Sequence, residues 1–202
     1  TENAYDTGEG RIGVWDPAQG FTRIDEFSSG GIGPHEIILL PNSDLAVANG
    51  GIRTHPEAGR DKLNPDTMRS NLTILSPDGL IVDQALLPQG HQLNSLRHIA
   101  PLPDGTIGCG CQWQGDIFET PCLFAVYTGA GRLASAGMDE TLLRSLEGYI
   151  GSVAGLGREQ FVATSPRGNA AVVIDRVGND LRTLKSYDVC GVATTISNET
   201  LM

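Results

Sequence analysis

The sequence predicts an all-β fold, a β-propeller of four-stranded antiparallel blades. Three observations predict it. One pattern recurs four times, in "PHEIILLPNSDLAVAN", "RHIAPLPDGTIGCGC", "SVAGLGREQFVATSP" and "CGVATTISNETLM". Between the copies stand short apolar segments that flank turns rich in Gly, Asn, Asp and Pro, the residues that supply or preset turn dihedrals. The repeat is about 40–60 residues long, the span of one blade.

Each element can be placed in order. Residues 1–27 read as strands B, C and D of a blade without its A strand, with "RIGVWD" entering a C–D turn at 16–20. The next strand A starts near His35, turns at 41–44 and returns as strand B, 45–49. "LTILS" then enters a C–D turn at 76–79. A third copy starts near His98, turns at 103–105, returns over 107–111, and leads through "LFAVYT" to a turn at 128–131. A fourth starts near Val153, turns at 157–159, returns over 161–165, and leads through "AVVID" to a turn at 177–180. Residues 190–202 read as strand A from about Val192 and part of B, joined by a turn at 197–199. The chain is therefore expected to be one propeller domain, 1–202, incomplete at both ends. Either its two ends complete one blade and close a four-bladed ring, or, the favoured reading, it forms an arc of about four blades of a larger, seven-bladed ring. One short helix is expected over 139–147, with Asp139 and Glu140 at its N-terminal end and Gly148 stopping it.

Composition narrows the function classes. Hydrophobic residues make up 40% of the chain, enough for a core, and the net charge is −10. That charge excludes non-specific nucleic-acid binding, because phosphates would be repelled. No apolar run is long enough to span a bilayer. Of the fourteen basic residues twelve are Arg, which favours fixed ion pairs or anion contacts. The four cysteines admit three readings. They can be small buried hydrophobes, Cys111 can pair with Cys122 across a hairpin, or a thiol can bind metal or react. Cys109 and Cys111, two apart on a strand, should share a face. Trp15-Asp16 ends a C strand as in WD repeats, but the equivalent places in other blades lack the pair. "GSVAG" is not a nucleophile elbow.

The loops divide into two kinds. Turns between A and B and between C and D are short, whereas the long connections, 28–34, 50–71, 88–97, 112–121 and 138–151, belong to the opposite face. His35, His55, His91 and His98 lie in or beside those long loops, as do Arg53, Arg60, Lys62, Arg69, Arg97 and Arg167. Long loops on one face of a rigid scaffold are where function concentrates. His35-Glu36 and Arg97-His98 hold equivalent places at the mouths of innermost strands, so they should approach the channel. Two imidazoles and a carboxylate (His35, Glu36, His98) are a candidate transition-metal set, or part of an ion-pair ring with Arg97. The loop "GGIRTHPEAGRDKLNPDTMRSN" is long enough to be functional. It reads as an internally salt-bridged lid or as an anion or partner site. Candidate ligand residues are His55, Arg60, Lys62, Asn64, Arg97 and Arg167.

The motifs "TENAYDTGEGRIGVWD", "GGIGPHEIILLP", "VANGGIRTHPEAGRDKLNPDTMRSNL", "HQLNSLRH", "CQWQGD", "YIGSVA", "ATSPRG" and "DVCGVA" run in order through the chain. Together they resemble a bacterial propeller family, domain of unknown function 1513. Members of that family are longer and carry a twin-arginine export signal. The resemblance therefore implies a periplasmic protein, and family gene neighbourhoods imply a link to iron acquisition. His35, Glu36, His55, Arg60, Lys62, Asn64, Arg97, His98, Arg167 and Cys190 fall within its motifs, but no catalytic residue carries over. The leading reading is an exported binding or scaffold propeller. A periplasmic protein or a small ligand would sit on its long-loop face. The alternative is a metal-dependent enzyme with a channel-mouth site, like propeller lactonases or quinoproteins. Glu36 is the sole carboxylate at an inner-strand mouth, which counts against a calcium site.

Overall fold

The computed structural model describes residues 1–59, 61–195 and 200–201. Its strands form successive antiparallel sheets, each laid down in chain order. The first holds β1 (Glu2–Asn3), β2 (Gly10–Asp16) and β3 (Thr22–Ser28). Three four-stranded blades follow. One is β4 (Pro34–Leu39), β5 (Leu45–Asn49), β6 (Asn71–Leu75) and β7 (Ile81–Leu86). The next is β8 (Asn94–Pro101), β9 (Ile107–Trp113), β10 (Phe124–Tyr127) and β11 (Leu133–Ser135). The third is β12 (Ser152–Leu156), β13 (Gln160–Ser165), β14 (Ala170–Asp175) and β15 (Asp180–Lys185). A last pair, β16 (Ala193–Thr194) and β17 (Thr200–Leu201), begins another sheet. The innermost strands β4, β8, β12 and β16 pack on one another in that order. This is the expected propeller arrangement, with the strands in the expected order. The expected turn at 197–199 lies outside the described residues.

The core lies between blades rather than inside any one of them. Successive strand residues point to opposite faces, and in the middle strands both faces are covered. In β5, Ala46 and Ala48 face the next blade's Ile107 and Cys109, while Val47 packs back against Ile12 of the first sheet. In β13 and β14 the same split sends Phe161, Ala163, Val172 and Ile174 to one interface, and Val162, Ala171 and Val173 to the other. Strands such as "NLTIL", "FAVY" and "AAVVI" therefore read as continuous apolar runs and are buried throughout. The outer strands β3 and β7 are mostly exposed.

Glycine spacing on β9 makes one of these interfaces fit. Cys109 and Cys111 share a face, as expected, and enter the core with the preceding blade. Gly108 and Gly110 face the other way. A Cβ on Gly108 would lie 2.7 Å from both Phe124 and Phe161, whose rings stack at 5.7 Å. All four cysteines are free. The Cys111–Cys122 bond is not formed; Cys122 Sγ sits 3.0 Å from the carbonyl oxygens of Phe124 and Ala136. Cys190 departs from the buried-hydrophobe reading because it is exposed.

The expected helix is α1 (Glu140–Ser145), capped by Asp139, whose carboxylate accepts from the Thr141 amide at 2.7 Å. Leu146 closes it into the core, and Gly148 takes the left-handed conformation at φ 66°. On the short-turn face, polar clips tie blades together. Asp83 of β7 accepts from the Tyr127 hydroxyl at 2.6 Å and from the Gly131 amide at 2.8 Å. These bonds hold its carboxyl below the usual range, and burial together with Asp83 pushes Tyr127 up. Arg176 pairs with Asp104 of the neighbouring blade at 3.0 Å. Removing the Tyr127 clip with Tyr127→Phe should lower stability by about 1.5 kcal/mol, the lower end of the worth of a hydrogen bond to a charged group. A urea midpoint that does not move would show that the clip contributes nothing.

Candidate functional site

The innermost strands carry the site, and two β-bulges shape it. In β4 the register shifts between Pro34, opposite Asn49, and Glu36, opposite Ala48. His35 is the extra residue. In β8 it shifts between Leu96, opposite Cys111, and His98, opposite Gly110. Arg97 is the extra residue. The expected equivalence of His35-Glu36 and Arg97-His98 thus has a backbone cause. A bulge bends the strand and re-aims a side chain. Strand β8 begins earlier than expected, at Asn94, so Arg97 and His98 lie inside a strand rather than at its start.

The two bulges bring four side chains together. His35 Nδ1 donates to the Arg97 carbonyl at 3.2 Å. The His35 and His98 rings meet edge to face at 5.0 Å. Glu36 Oε2 accepts from the Ile99 amide at 2.9 Å and lies 3.4 Å from His98 Nδ1. Although its edge reaches solvent, His35 is held down to a pKa of about 4. Burial is the largest cause, and the nearby Arg97 and His98 add to it.

A cleft of about 230 Å³ opens beside this cluster. His35 and Arg97 line it with Gly50, Ile52 and Thr54 of the longest loop and Asn3 of β1. That loop has a defined shape. Asn64 spans it, accepting from the Arg53 amide at 2.6 Å and donating to the Gly51 carbonyl at 2.9 Å. Two 3₁₀ turns, Pro56–Ala58 and Pro65–Thr67, set its corners. The Arg53 guanidinium reaches the Asp6 carbonyl at 2.8 Å. The loop is thereby tied to the first sheet.

The candidate residues separate by role. Arg97 and His35 are in the cleft. Asn64 is committed to holding the loop rather than facing a ligand. His55 packs edge-on against Tyr5 at 5.9 Å and accepts from the Glu57 amide at 3.2 Å. Lys62 is exposed on the loop, and Arg60 lies outside the described residues. Arg167 is exposed and stacks over the Tyr149 ring at 4.6 Å. Tyr149, which sequence reasoning passed over, also bears on the charge of Arg97. Its place in the quoted motif "YIGSVA", just before an inner strand, was the available signal. Thr54 was missed because a lone loop threonine carries none.

Two facts decide the chemistry of this mouth. Among the described residues, Arg97 forms no ion pair and no side-chain hydrogen bond, and its Nε is buried without an acceptor. Burial pulls its pKa down. Second, Nδ1 of each imidazole and Oε2 of Glu36 face protein partners, and the Arg97 charge bears on His35. Among the described residues no group of three or more His, Cys, Asp or Glu is arranged to hold one.

An uncompensated, partly buried charge destabilises the protein that holds it. Arg97→Met, which keeps much of the volume, should therefore raise stability by about 1 kcal/mol in urea unfolding; a loss of stability would mean that the guanidinium has a partner after all. His35 gives a pH test. Its pKa is about 4 when folded against 6.5 as the ordinary value, so the unfolded chain binds the proton more readily. Stability from this source is complete above 6.5 and is lost as pH falls towards 4. An NMR titration should place the His35 midpoint far below 6.5, and His35→Gln should lose less stability than the parent over that window. A midpoint near 6.5 would contradict the crowding.

The fold has counterparts among solved structures. Virginiamycin B lyase from Staphylococcus aureus, as the inactive H270A form with quinupristin, superposes with a TM-score of 0.59 at 16% identity, over 92% of this chain and 50% of that one. The Dos1 propeller gives 0.58 at 14% identity, over 97% and 47%. A chain of a nidogen/laminin complex gives 0.52 at 14% identity, over 87% and 55%. At these identities the likeness is one of fold, and the chain spans about half the length of each. No curated protein is significantly similar in sequence. No helix among the described residues is long and apolar enough to cross a membrane. The sequence matches, over residues 1–200, the family described as protein of unknown function (DUF1513), and the chain belongs to that family.

Proposed function

We propose that this protein is a binding or scaffold propeller whose ligand enters the channel-mouth cleft on the long-loop face. The observation that carries the reading is Arg97: a partly buried guanidinium in a cleft, with no partner among the described residues. A buried donor without a protein acceptor costs free energy, and a ligand entering this cleft would supply a partner for the guanidinium. Propellers commonly present their sites on loops held by a rigid frame, and the Asn64 clamp gives this loop a fixed shape. The family resemblance supports a periplasmic setting within an iron-related system.

The alternative, a metal-dependent enzyme at the same mouth, draws on the contact between Glu36 and His98. The adjoining Arg97 charge weighs against a cation there. Stoichiometric metal in protein purified without a tag, lost on His35→Ala with His98→Ala, would put that reading first.

The binding reading has a direct test. Thr54→Trp should fill the cleft while leaving the inner strands intact. A small-molecule screen by NMR should find ligands that perturb Gly50 and Ile52 in the parent and lose at least about tenfold in affinity, near 1.4 kcal/mol, in the variant. Hits that bind both proteins equally would move the site elsewhere.

A further inference from the structure

We propose that the cleft takes a small hydroxycarboxylate, with its carboxylate on Arg97 and its hydroxyl donating to His35. This rests on the ligand-binding reading above and names the class of ligand.

The guanidinium fork matches a carboxylate in two parallel hydrogen bonds. Among the described residues Arg97 makes no side-chain hydrogen bond or ion pair, so its terminal nitrogens are uncommitted, while its Nε is buried. No carboxylate lines the cleft, and Glu36 of the adjoining cluster is engaged by the Ile99 amide and faces His98. In a chain of net charge −10 this is an unusual patch.

The second group is read from a tautomer. A backbone carbonyl can only accept, so the bond from His35 Nδ1 to the Arg97 carbonyl places the ring proton on Nδ1. Nε2 is then a bare acceptor, and it asks for an O–H or N–H. An ammonium would sit beside a guanidinium and be disfavoured. A hydroxyl meets the need without added charge. Thr54 offers a further hydroxyl on the same wall.

Two exclusions follow. Sulfate has no proton to give Nε2, and its second charge has no second cation in the cleft. A large ligand is excluded by size, since about 230 Å³ falls below the roughly 300–1,000 Å³ of sites for drug-sized molecules.

The test is an NMR titration of the protein with glycolate, glycine, acetate and sulfate, read at the Arg97 Nε–H and the amides of Gly50 and Ile52. Glycolate should bind about tenfold more tightly than acetate, the worth of roughly one net hydrogen bond, with glycine and sulfate weaker than glycolate. Arg97→Gln, with an otherwise unchanged amide spectrum, should abolish carboxylate binding. His35→Phe should bring glycolate down to the affinity of acetate. Equal binding of sulfate and glycolate, or undiminished glycolate binding to Arg97→Gln, would overturn the proposal. A neutral ligand blocked by Thr54→Trp but indifferent to Arg97→Gln would overturn the carboxylate class and leave the cleft as a binding site. No response at the cleft to any ligand would overturn both.

Discussion

The middle strands of this protein must bury both of their faces, and most of its architecture follows from that. A strand offers alternate residues to opposite sides. Here one set packs on the blade before and the other on the blade after. Burial of apolar area is the main stabilising term, at about 25 cal/mol per Å², and it accrues only where blades meet. No blade owns a complete core. Side-chain volume is therefore matched across interfaces: on β9 Gly108 makes room for Phe124 and Phe161 and Gly110 for Ile150 and Val153, while two cysteines on its other face fill the space against Leu96 and Ile107.

That packing leaves little freedom for a functional group inside the sheets. The bulges on β4 and β8 resolve the conflict. One inserted residue per strand keeps the register on either side intact, so the alternation survives. The inserted residues, His35 and Arg97, leave the ladder and line the cleft. Other register shifts, at Val14/Trp15, Ile74/Leu75 and Val173/Ile174, recur near the C–D turns of three sheets and relate to blade shape. The site is thus a local departure from a repeat, held by the regular pairing around it.

The blades were legible because turn chemistry and alternation are local signals. Asp16 and Pro17, or Pro77 and Gly79, fix a hairpin whatever surrounds them. The equivalence of His35-Glu36 and Arg97-His98 was legible too, because both follow a recognisable inner-strand start. Their fine geometry was not, since a bulge is set by how two strands pair and not by either sequence alone. The same holds for Asn64. Its composition suits a ligand contact, but its amide bridges the Arg53 amide and the Gly51 carbonyl, thirteen residues from the latter. Tyr149 and Arg167 meet only because the blade brings the two loops side by side.

Charge adds one last constraint. At a distance, a protein of net charge −10 repels an anion. That field decays over a Debye length of about 8 Å at physiological ionic strength. Inside the cleft the balance reverses, because a single guanidinium at close range outweighs carboxylates that lie beyond that length. The long loop supports this reversal. It carries Glu57, Asp61 and Asp66, yet none of them lines the cleft; the wall it offers is Gly50, Ile52 and Thr54. The Asn64 clamp fixes which part of the loop faces inward. A loop free to turn Glu57, Asp61 or Asp66 inward would neutralise Arg97 from within the protein and remove the reason for a ligand to bind there.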